Sequence, residues 1–276
     1  MDKRQILNRI SIYIILILFS IAYLIPFYII ARNALMTQRE IAQFDWQLWP
    51  ETAQWQNLTN LLNDPIANIT VGLKNSTIVS VLQVAGRLII TSLAGYGLAR
   101  IRYKWADQVF YFVLIALMVP SAAIFVQTFL VVASLGWVST IQGLVVPGMF
   151  DVFSVFIFRQ FFLDFPRELE DAALVDGLGT FGIFWRIVVP NSTGVFISLG
   201  TLGLIRSWNA FLWPLVIGQS RETWTVQVVL STFLTAQTIN LPALFMGAAV
   251  GIVPVLLVFF IVQRYIVEGV RVSGIK

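Results

Sequence analysis

The chain contains no cysteine and no histidine, and only 12% of its 276 residues are charged. Without cysteine there is no disulfide framework, no thiolate metal site and no sulfur nucleophile. Without histidine, the usual zinc centres, Ser-His-Asp triads and imidazole proton relays are excluded. No Gly-x4-Gly-Lys-Ser/Thr phosphate loop occurs, so the chain lacks that means of binding ATP. Internal repeats and low-complexity tracts are also missing. A non-catalytic chain with no cofactor, no metal site and no nucleic-acid partner is the expectation.

What remains is hydrophobic: 58% of residues are apolar, and the charged share is about half that of a soluble domain. Crossing roughly 30 Å of hydrocarbon takes about 20 apolar residues. Six stretches qualify: Ile10–Ile30, Ser76–Ala99, Gln108–Ala133, Ile141–Phe161, Val195–Ile217 and Ala243–Gln263. Each must be helical, because a lone backbone in lipid has to bond within its own segment. The fold class expected is an all-α polytopic membrane protein with six transmembrane helices. The first stretch is longer than a signal-peptide core and Ala31-Arg32-Asn33 offers no cleavage site, so a retained anchor is expected.

The basic residues orient the spans. Lys3, Arg4 and Arg9 precede the first, Arg100, Arg102 and Lys104 follow the second, Arg159, Arg167 and Arg186 follow or flank the fourth, and Arg264, Arg271 and Lys276 follow the sixth. The opposite side carries Arg32, Arg39, Lys74 and Arg221. The positive-inside rule places both termini in the cytoplasm. The outside segment from Arg32 to Lys74 carries Trp46, Trp49 and Trp55, read either as an interfacial aromatic belt or as a surface for an external partner.

Between the fourth and fifth spans lies a polar segment of distinct design. Asp164-Phe165-Pro166 supplies a cap and a first-turn proline, and Glu168, Glu170 and Asp171 sit where the helix dipole favours anions. Leu169, Ala172, Ala173 and Asp176 share one face, flat at its centre because of the alanines. Gly177 is suited to end the helix, and Thr180 to cap a second one over Phe181–Val189 that Pro190 interrupts. A helix lying on lipid would carry bulky apolar residues and a basic polar face. Alanines and carboxylates favour docking to another protein.

Asp171-Ala172-Ala173, three residues, Gly177, nine residues, Ile187, one residue and Val189-Pro190 resembles the EAA loop of ABC-importer permeases. Asp171 stands where that family usually has Glu, and Val189 where it has Leu. Leu93 to Arg100 is similar to the family's second-span ending. Ser207 to Pro214, and the tail from Gln263 to Lys276, are similar to its maltose-type carbohydrate branch. The resemblance implies a type I ABC-importer transmembrane domain in a bacterial inner membrane. Residues 1–72 would form an anchor and extracytoplasmic segment, 73–268 the permease core with its loop at about 164–190, and 269–276 a cytoplasmic tail. It also implies an ATPase-coupling set of Glu170, Asp171, Ala172, Ala173, Asp176 and Gly177. The implied partners are an ATPase dimer that binds ATP and Mg, a second, non-identical permease, an extracytoplasmic substrate-binding protein, and lipid. The cargo implied is an oligosaccharide or glycoside. A glycerol phosphoester or osmolyte on the same machinery, or a self-contained secondary transporter, are the alternatives.

Three charges, Arg87, Asp151 and Arg206, fall within the expected spans, where an unpaired charge costs about 2.5–3.5 kcal/mol or more. Asp151 and Arg206, with Trp208 and Asn209, are candidates for a polar path contacting sugar hydroxyls. The structural alternative is pairing, for example of Asp151 with Arg87 or Arg206, or with a sister subunit. Gly86 beside Arg87 points to close helix packing there. Pro120, Pro147 and Pro254 are expected to interrupt mid-span hydrogen bonding.

Overall fold

The computed structural model describes residues 3–101, 103–234 and 239–273. Its helices, in order, are α1 (Lys3–Ala34), α2 (Gln38–Ala42), α3 (Gln56–Leu62), α4 (Ile69–Arg100), α5 (Ala106–Met118), α6 (Ser121–Ser134), α7 (Ile141–Val145) and α8 (Val152–Leu163). There follow α9 (Arg167–Val175), α10 (Thr180–Ile183), α11 (Val189–Asn191), α12 (Thr193–Trp208), α13 (Leu212–Ile217), α14 (Val226–Ser231) and α15 (Leu241–Ser273). Among the described residues no strand forms; Leu234 and Ile239 make an isolated bridge. This is the helical economy that lipid imposes.

Three helices are long and apolar enough to span a membrane: Asn8–Ala34, Ile69–Arg100 and Leu241–Arg264. Three bent pairs supply the rest, giving six spans when each pair counts as one. The expected third span is one of these pairs: α5 and α6 meet at 102°. The cause is Pro120, which lacks an N–H and drives Val119 into an extended conformation (ψ 116°). The fourth bends by 41° where Pro147 lies in a short 3-10 turn before the break. The expected fifth span, Val195–Ile217, needs the larger correction. Its helix stops at Trp208, and the partner that completes the bent pair is Thr180–Asn191, at 79°. Pro254, by contrast, is carried inside a continuous α15.

The chain divides into two compact units. One holds the residues up to Thr70 together with Val229–Val253. In it, residues 8–28 of α1 are all exposed, which leaves that stretch to lipid or to another subunit. Beyond α1, Thr37 and Glu40 form a capping box, Asn57 donates to the carbonyls of Ala34 and Met36, and the Arg32 guanidinium lies 4.1 Å over the Trp46 ring. Trp46, Trp49 and Trp55 are all exposed.

The second unit holds Val71–Val228 and the residues from Pro254 on. Two apolar cores are seen among its described residues. One gathers Tyr96, Phe158, Phe162, Phe184, Val188 and Leu199 under α9. The other gathers Val79, Val132, Leu144 and Ile217. Close backbone approach shapes the first: a Cβ at Gly95 would sit 2.6 Å from that of Phe158. The expected cytoplasmic tail is described only in part, since 274–276 lie outside the described residues, as does Arg102.

Candidate functional site

The polar segment folds as a short helix with a defined end. Asp164 closes α8 as its C-cap, and the cap of α9 is Pro166, so the expected Asp164 cap is corrected. The reason is that α8 runs on to Leu163 and leaves no free turn in which an Asp164 side chain could cap α9. At the other end Gly177 has φ +84°, its N–H bonds the Leu174 carbonyl, and the Leu178 N–H bonds the Ala173 carbonyl, both at 3.0 Å. That pair of bonds is a Schellman closure. Thr180 is the first residue of α10 rather than its cap, and a π-helical turn, Phe184–Val188, continues from it.

The expected face of Leu169, Ala172, Ala173 and Asp176 is divided, and so is the coupling set that includes Glu170. Ala173 is buried at 4% exposure and Glu170 is turned toward α4. Leu169, Asp171, Ala172, Val175 and Asp176 face outward, Val175 at 88% exposure. Apolar side chains projecting from an otherwise polar helix are unfavourable in water and favourable against a partner.

What holds α9 in place is a polar clasp on the end of α4. Arg100 Nε lies 3.4 Å from Glu170 Oε1, the two side chains being 6% and 12% exposed. Arg100 Nη2 donates to the Phe165 carbonyl, and the Tyr96 hydroxyl lies on the same carboxyl, favouring its charged form. Burial pushes the Glu170 carboxyl above its usual range, against the pull of Arg100 and Tyr96. The clasp thus ties α4, the α8–α9 turn and α9 together.

The second polar feature is a cavity of about 450 Å³ lined by Gln83, Arg87, Thr128, Arg206, Ser207 and Trp213 among others. Its walls are fixed by side chains bonded to the interrupted backbone of the fourth span. Gln83 Nε2 donates to Leu144 O at 2.8 Å, Trp213 Nε1 to Gly143 O at 3.1 Å, and Arg87 Nη2 to Gly148 O at 2.8 Å. Carbonyls released by the break are satisfied from neighbouring helices, as a dry interior demands. Met149 packs on Gly86, where a Cβ would approach to 2.7 Å.

Residues 89–272 match the family described as binding-protein-dependent transport system inner membrane component. The chain belongs to that family. The permease is 31% identical over 273 residues, 97% of its length and 96% of the other's, to the arabinooligosaccharides transport system permease protein AraQ of Bacillus subtilis (strain 168). It is 35% identical over 195 residues, 71% of each chain, to the lactose transport system permease protein LacG of Rhizobium radiobacter. A solved bacterial ABC transporter involved in the import of the acidic polysaccharide alginate superposes with a TM-score of 0.81 at 19% identity, covering 96% of this chain and 98% of that one. The fold is that of a type I ABC-importer transmembrane domain.

The permease brings two of its four candidate path residues together. Arg206 Nη1 stands 3.9 Å from Asp151 Oδ1, and Asp151 also caps α8 by accepting from the Ser154 N–H and hydroxyl. Arg206 lines the cavity with its side chain half-exposed. Trp208 is buried at 5% exposure, and Asn209 is exposed, its amide donating to Ile205 O. Neither lines the cavity. Gln83 and Trp213, which do, were not singled out from sequence as path residues. The one available signal was the four-residue spacing of Gln83 and Arg87, which puts two polar side chains on one stripe of an apolar helix.

Proposed function

We propose that this permease is one transmembrane half of an ATP-driven importer for a sugar, an oligosaccharide or glycoside delivered by an external binding protein. The observation that carries the reading is α9: a Schellman-closed helix, clasped at its base by Arg100, with Leu169, Asp171, Ala172 and Val175 turned outward. In this reading a separate ATPase dimer, holding ATP and Mg, grips that outward face. ATP-driven closure of the dimer displaces α9, and the clasp passes the displacement to α4. The spans then rock between inward- and outward-facing arrangements, a rigid-body switch between two packed states. A second, similar permease completes the pathway, and both termini lie in the cytoplasm. The names of the sugar-transporting relatives support the cargo class.

An anionic solute such as a glycerol phosphoester is the second reading. It is favoured by the charge of the cavity lining, where Arg87 and Arg206 stand and Asp151 reaches only as the ion-pair partner of Arg206.

Purification of the assembled complex from its native membrane tests both. A co-purifying ATPase and an external binding protein that retains a neutral saccharide are expected. A binding protein selective for a phosphoester would move the assignment to the second reading, and absence of any ATPase would overturn both.

A further inference from the structure

The cavity and the outward face of α9 leave one cluster of cations without a role. A pocket of about 540 Å³ opens between the end of α4, the start of α5 and the end of α8, lined by Leu98, Tyr103, Lys104, Asp107, Arg159 and Leu163 among others. Arg159 stacks its guanidinium 3.7 Å over the Phe110 ring. Its Nε is buried with no hydrogen-bond partner, and among the described residues no ion pair engages it. Lys104 lies 5.3 Å from the Trp105 ring and is likewise without an ion pair. Among the described residues Asp107 is the single carboxylate in the lining, against Lys104 and Arg159, so the pocket carries a surplus positive charge.

A planar guanidinium with free donors matches the paired oxygens of a phosphate. Basic pockets between spans on the cytoplasmic side are suited to anionic lipid headgroups. Two features separate a lipid from a free anion. Tyr103 in the lining, and Trp105 between the lining residues Lys104 and Ala106, are 42% and 57% exposed, the disposition of aromatic residues at headgroup level. Tyr111 and Ile115, one and two turns along α5 from Asp107, are 63% and 58% exposed and prolong the site into an apolar track that acyl chains can follow.

We infer that this pocket binds the phosphate headgroup of an anionic phospholipid of the inner leaflet, with Arg159 and Lys104 as its ligands. The leaflet rests on the cytoplasmic orientation stated under the proposed function.

The test is lipid retention by the assembled complex in nanodiscs of phosphatidylcholine with phosphatidylglycerol, read by native mass spectrometry. The intact complex is expected to enrich phosphatidylglycerol about tenfold over phosphatidylcholine. Arg159→Gln and Lys104→Gln should each reduce the enrichment severalfold, with Arg159→Lys retaining part of it. The Lys104 variant sits on an exposed loop, so its reading does not depend on core folding. Equal retention by wild type and both glutamine variants would overturn the site. Competition by inorganic phosphate as strong as by the lipid would reduce it to a free-anion site and overturn the lipid. Because the chain has no cysteine, a Lys104→Cys variant reports the side directly. Modification by a membrane-impermeant thiol reagent is expected in inverted vesicles only. Modification from outside would overturn the orientation and the leaflet together, while the enrichment ratio still decides whether the pocket selects an anionic headgroup.

Discussion

The clasp at the base of α9 makes a quantitative prediction. Replacing Arg100 by Met keeps an unbranched apolar stem and removes the charge, leaving Glu170 buried beside an apolar neighbour. Breaking a buried pair in this way costs about 3–5 kcal/mol when the remaining charge has no escape. Glu170 has one, because it can take up a proton. For a carboxyl with an ordinary value near 4.5, protonation at pH 7 costs about 3.5 kcal/mol, at about 1.4 kcal/mol per pH unit. Burial already lifts Glu170, so the cost falls below that figure. Arg100→Met should therefore destabilise by about 2–3 kcal/mol, while the double variant Arg100→Met with Glu170→Gln should lose less, since no orphan charge remains. The pH dependence follows from the same shift. A carboxyl raised in the folded state contributes stability that is fully present below its unfolded value near 4.5 and is lost as pH rises through its folded value. Glu170→Gln should flatten the fall in melting temperature on going from about pH 4.5 to neutral, and Arg100→Met should steepen it. Thermal melts of the nanodisc-embedded permease across that range measure both effects. Equal losses in the single and double Arg100 variants, or a wild-type melting temperature that rises with pH relative to Glu170→Gln, would refute the reasoning.

Three further outcomes are expected. At Gly177 a Cβ would meet nothing within 4 Å, so only φ +84° opposes a side chain: Gly177→Val should strain the α9 end by about 1–2 kcal/mol and uncouple ATP hydrolysis from uptake, while Gly177→Asn should be milder in both. On α4, Gly95→Ala should cost about 1–3 kcal/mol by overpacking against Phe158, whereas Gly97→Ala, with open space around it, should raise the melting temperature slightly. Asp151→Asn keeps the α8 cap but gives up the charge facing Arg206. Uptake should fall with little change in stability, while Asp151→Ala should lose about 1 kcal/mol as well.

How much of this was legible in the sequence depended on the range of the interactions. The α9 segment was readable because its signals are local: a proline before it, carboxylates in its first turn, a glycine after it. The division of its face was not, because the inward turn of Glu170 is chosen by Arg100, seventy positions earlier in the chain and on another helix. Pro120 was readable as an interruption, but a bend of 102° reflects how α5 and α6 pack, which a proline alone does not set. The fifth span was misjudged because Leu212–Ile217 is as apolar as the helix before it, and only the break at Asn209–Phe211 separates them. Asp151 read as a buried charge in mid-span. Its place at a helix start, accepting from Ser154, became visible only with the break that Pro147 precedes.

In the proposed cycle an ATPase grips the outward face of α9. Single cysteines introduced at Val175, which is exposed, and at Ala173, which is buried, offer the most direct measurement in a chain free of native thiols. Val175→Cys is expected to cross-link to the ATPase subunit with a yield that changes between nucleotide-free and ATP-bound states, and Ala173→Cys is not. A Val175→Cys that stays unlinked in every nucleotide state, while the complex still transports, would contradict the proposed cycle.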